Sequence, residues 1–67
     1  MTCQEMLTEA RASRTDLARF VEAASHDERP YLIVPARAVE GWQDREPQIW
    51  AKVRGWLASQ GKSLVVI

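Results

Sequence analysis

One cysteine, one histidine and no surplus of either charge leave this 67-residue chain little to do chemistry with. Cys3 has no second cysteine to pair with, which excludes an internal disulfide and suits a reducing compartment. Nine basic residues against nine acidic ones give no net field to gather nucleic acid or acidic lipid non-specifically. No apolar run exceeds four residues, too short to span a membrane. The first residues carry Gln4 and Glu5 with no apolar segment after them, unlike a secretion signal, so a cytoplasmic protein is expected.

Glycine is sparse too, and Gly41, Gly55 and Gly61 lie too far apart to make a phosphate-cradling loop. His26 stands beside Asp27 and Glu28, but neighbours in sequence are not convergent ligands. That segment reads as a solvated connection. Cys3 has no base or orienting group near it in sequence, and reads as a small residue on a helix seam. No catalytic residue, cofactor or metal is therefore expected, and the chain is not expected to be an enzyme.

What the chain does have is 46% apolar residues, a globular composition, and two short runs of strand type. Tyr31-Leu32-Ile33-Val34 and Leu64-Val65-Val66-Ile67 are continuously apolar and rich in β-branched residues, the pattern of strands buried on both faces. Two strands do not make an independently stable sheet, and a chain this short buries only about 60% of its unfolded surface. The expectation is a sheet completed by homodimerisation, with Tyr31, Ile33, Leu64, Val66 and Ile67 at the interface.

Around the strands, periodicity predicts helices. Thr2-Cys3-Gln4-Glu5 fits a capping box. From it a seam runs through Met6, Ala10, Ser13, Leu17, Phe20 and Ala24, predicting one helix to about Ser25. Pro30 excludes any continuation. Pro35 opens a short helical turn over Ala36–Glu40, stopped by Gly41, with Gln43–Glu46 as a polar connection. Pro47 starts a final helix whose Ile49, Trp50, Val53, Trp56 and Leu57 share one face, ended by Gly61. The reading is a small α/β (α+β) domain over residues 1–67, in the order helix, strand, short helix, helix, strand. The stretch from Pro35 to Ser63 is long enough for a parallel crossover.

Two residue groups bear on function. Trp50 and Trp56 belong to the last helix's apolar face and read as core, whereas Trp42 precedes it in a polar stretch and reads as a partner-binding anchor. Arg11, Arg14, Arg19, Arg37 and Arg45 offer phosphate contacts if the fold gathers them. The leading expectation is a non-enzymatic homodimer acting on an unidentified protein partner as an adaptor or inhibitor. The alternative is a dimeric DNA-binding regulator using those arginines. Against it, Thr15-Asp16-Leu17-Ala18-Arg19 begins like a helix-turn-helix, but a proline and a strand follow where the recognition helix belongs.

Overall fold

A computed structural model describes residues 2–13 and 15–67. The order is α1 (Cys3–Arg11), α2 (Leu17–Ser25), β1 (Tyr31–Val34), α3 (Ala36–Arg45), α4 (Pro47–Ser59) and β2 (Ser63–Val66). The α/β class and the order of elements agree with the sequence reading, with one helix more than expected.

The capping box at the start of α1 forms in both directions. Thr2 N–H donates to Glu5 Oε2 at 2.9 Å, and Glu5 N–H donates to Thr2 Oγ1 at 3.2 Å. The single long helix expected to follow does not form, because the chain breaks between Arg11 and Leu17. A continuous helix over residues 3–25 would run about 35 Å at 1.5 Å per residue; with the break, the molecule extends 27 Å along its longest axes. The reason for the break is local. Thr15 N–H donates to Ser13 Oγ and Leu17 N–H to Thr15 Oγ1, so hydroxyls take the place of helical carbonyl acceptors. Breaking there lets α2 fold back on α1, and Met6, Ala10, Leu17 and Val21 become fully buried.

The short turn expected after Pro35 is instead a ten-residue helix. Gly41 does not end it, since Val39 and Trp42 on either side are both buried and hold the backbone against α4. Only Glu46 separates α3 from α4, at φ −138°, and Pro47 then occupies the first turn of α4 as expected. Trp50, Val53, Trp56 and Leu57 bury the predicted face. The indole N–H groups of Trp50 and Trp56 meet no acceptor among the described residues, so both rings act through apolar contact. Gly61 adopts φ +72°, the left-handed geometry that closes a helix, and Lys62 N–H donates back to Leu57 O.

β1 and β2 pair in parallel within one chain, Tyr31 opposite Ser63 through Val34 opposite Val66. Burial on both faces, expected from the unbroken apolar runs, is not what the fold provides. Helices pack on one face only, so Leu32 and Val34 are buried while Tyr31 and Ile33 point away from the core.

Candidate functional site

The uncovered face of the sheet is the main surface feature. All of the large apolar residues exposed among the described residues are in or directly after the strands: Tyr31 at 45%, Ile33 at 54%, Val65 at 42%, Val66 at 51% and Ile67 at 74%. Side chains alternate across a strand, and register partners in a parallel pair share a face. Tyr31, Ile33 and Val65 therefore lie on the open face, with Ile67 continuing it. Val66, the register partner of buried Val34, is exposed on the opposite, helix-side face. Of the interface residues expected from sequence, Tyr31, Ile33, Val66 and Ile67 are exposed and Leu64 is half-buried.

Trp42 is not at the surface. It is only 3% exposed, so the expectation that it would be presented to a partner is corrected. The helical extension through Gly41 carries it inward, three residues after buried Val39, which the polar stretch around it did not reveal. Its ring packs between Phe20 and Trp50, with centroid distances of 5.1 Å to each. Its indole N–H donates to Asp16 Oδ1 at 3.1 Å.

The arginines converge in part. Arg37 and Arg45 lie two turns apart on α3 and border a cleft of about 410 Å³ with Thr15, Asp16, Gly41 and Trp42. Arg19 borders an adjoining depression that shares Asp16, Ala38 and Trp42. Arg11, in the last turn of α1, borders neither. Arg14 lies outside the described residues. The gathered positive charge is offset by the Asp16 carboxylate in its midst.

The residues around His26 are engaged with one another. Arg29 Nε and Nη2 donate to the Asp27 carboxylate at 3.0 and 2.7 Å, and the Arg29 N–H adds a third bond at 3.0 Å. The side-chain bond from Arg29 is the largest influence holding the Asp27 carboxyl far below the usual carboxylate range. The same pair raises the Arg29 guanidinium above its ordinary value. Lys62 Nζ donates to the carbonyl oxygens of Asp27 and Arg29, tying the lead-in of β2 to that of β1. Among the described residues no cluster of three or more His, Cys, Asp or Glu is placed to hold a metal ion. No described helix is long and apolar enough to cross a membrane.

Sequence reading missed Glu46. Its carboxylate accepts hydrogen bonds from the hydroxyls of Ser13 and Thr15, more than thirty residues earlier, and so pins the α1–α2 junction to the α3–α4 junction. No local pattern announces a contact at that separation. No known protein family, curated protein or solved structure matches this chain.

Proposed function

We propose that this chain is a non-enzymatic binding protein that works as a homodimer with a shared sheet, and that its apolar sheet face receives a protein partner. The observation that carries this is the clustering of the exposed large apolar side chains on two adjacent strands, with the opposite face packed against helices. A two-stranded sheet with one open face and an unpaired β2 edge has unmet burial and hydrogen-bonding capacity. The most altered ionisable pair, Asp27 and Arg29, is occupied in holding a connection.

Sedimentation equilibrium of the full chain tests the assembly. A mass of two chains is expected, and a monomer up to the solubility limit refutes it. The partner-binding part is tested by comparing proteins retained by wild type with those retained by Ile33→Lys, whose exposed position leaves the fold intact. A partner lost on that substitution supports the sheet face; equal retention excludes it.

A second reading, a dimeric DNA-binding regulator, draws support from the placement of Arg19, Arg37 and Arg45 around adjoining depressions. It predicts retained DNA that is lost with Arg37→Ala and Arg45→Ala and weakens steeply with salt.

A further inference from the structure

We infer that two copies join edge to edge through antiparallel β2 strands, with Val65 on the two-fold axis, making one four-stranded sheet in the order β1-β2-β2-β1. This rests on the homodimer reading above and specifies which edge forms the dimer.

The backbone directions come first. Ser63 N–H donates to Pro30 O, Ile67 N–H to Val34 O and Ala36 N–H to Ile67 O, at 2.9–3.0 Å. With the parallel register, these bonds turn the backbone groups of Ser63, Val65 and Ile67 toward β1. The N–H and C=O groups of Leu64 and Val66 therefore point outward along the free edge of β2. Tyr31 and Ile33 present theirs along the free edge of β1.

The two edges differ in what already covers them. Beside β1 stands α2, whose Phe20 and Ala23 wall a depression along Leu32 and Ile33. A helix beside an edge is one of the ways proteins block strand addition. Among the described residues β2 is the more exposed of the two strands. Val66 shares the helix-side face with Val34, yet Val66 is half exposed and Val34 is 2% exposed. Leu64 is likewise less buried than its register partner Leu32. The helical layer covers β1 and thins out over β2, leaving side chains and backbone incomplete at the same edge.

Self-pairing also suits the charge pattern. Leu64 to Ile67 carries no charged side chain, so a symmetric partner brings no like charges together. Lys62, the nearest cation, is turned back onto the carbonyls of Asp27 and Arg29. Edge strands kept apart in solution commonly carry an exposed lysine, and this one does not.

Symmetry then selects the register. An antiparallel pair centred on Val65 sets Leu64 opposite Val66 of the partner subunit, and Val66 opposite Leu64 of the partner subunit. Each pair exchanges two backbone hydrogen bonds and covers a half-exposed Val66 with a leucine. Registers centred on Leu64 or on Val66 keep only one such pair within the strand. At the axis, Val65 faces its own copy as a non-hydrogen-bonded pair, with Cα atoms about 4.5 Å apart.

That spacing permits a disulfide, which requires Cα atoms within about 7 Å. The experiment uses the full chain with Cys3→Ser, carrying either Val65→Cys or Ile33→Cys, oxidised with diamide and resolved on a non-reducing gel. The expected result is near-complete covalent dimer for Val65→Cys and none above background for Ile33→Cys. In the four-stranded sheet the two Ile33 positions are three strand spacings apart, about 14 Å. If wild type sediments as a dimer but Val65→Cys fails to cross-link, or Ile33→Cys cross-links as well, the β2 edge is refuted and the homodimer reading survives. If wild type is monomeric, both fail.

Discussion

Replacing Trp42 with alanine separates a core role from a surface role by magnitude. The ring is almost fully buried, touches Phe20 and Trp50 on its two sides, and anchors through its N–H to Asp16. Truncating a buried tryptophan to alanine costs about 3–5 kcal/mol, including the cavity left behind. A 67-residue domain has a total stability of only ~3–10 kcal/mol at 0.05–0.15 kcal/mol per residue. Trp42→Ala should therefore leave the protein barely folded. With an m-value near the low end for small proteins, about 1 kcal/mol/M, the urea midpoint should fall by at least ~3 M.

Trp42→Phe keeps a ring against Phe20 and Trp50 but loses the bond to Asp16. The freed carboxylate is at the surface and regains water, so the cost should stay near 1–2 kcal/mol. The assay is urea unfolding followed by far-ultraviolet circular dichroism, at one fixed protein concentration because association adds apparent stability. An unchanged midpoint for Trp42→Ala would refute the core assignment and return Trp42 to the surface.

Two further outcomes are expected. Glu46→Ala removes the acceptor of the Ser13 and Thr15 hydroxyls and should cost about 1–3 kcal/mol; hydrogen exchange should quicken around Thr15 and Leu17 before it does in α4, and unchanged exchange there would argue against the pin. Asp27 has a folded-state pKa below its unfolded one, so its contribution is present above the ordinary aspartate value of about 3.9 and is lost as pH falls below it. Urea midpoints measured down to about pH 2 should fall less steeply for Asp27→Asn than for wild type, and added salt should shrink the difference because Arg29 is well exposed. Parallel acid limbs would refute a stabilising role for the pair.

How far the sequence could be read depended on the range of the interaction. The Thr2–Glu5 capping box, the proline starts of α3 and α4, the glycine closing α4 and the Trp50–Leu57 face all arise within a few residues, where spacing alone carries the geometry. The identity of both strands was legible for the same reason: four consecutive apolar residues bounded by breakers admit few alternatives. Their exposure was not. An apolar run looks the same whether one face or two are covered, and coverage depends on where α2, α3 and α4 pack.

The same division explains the errors in the helices and at the candidate site. Through the first 25 residues the seam is continuous in sequence, but Ser13 and Thr15 find Glu46 only once the chain has folded. Gly41 signals a stop by its own propensity, yet burial of Val39 and Trp42 outweighs a cost of about 1 kcal/mol. Thus sequence alone determined the order of helical and strand segments and several of their ends, because local hydrogen bonding and periodicity suffice for that, but not where the first helix breaks or how far α3 runs. Tertiary structure decided which surfaces of those segments remain for a partner, placing Trp42 inside and Tyr31, Ile33, Val65 and Ile67 outside, because exposure depends on contacts between residues far apart in the chain.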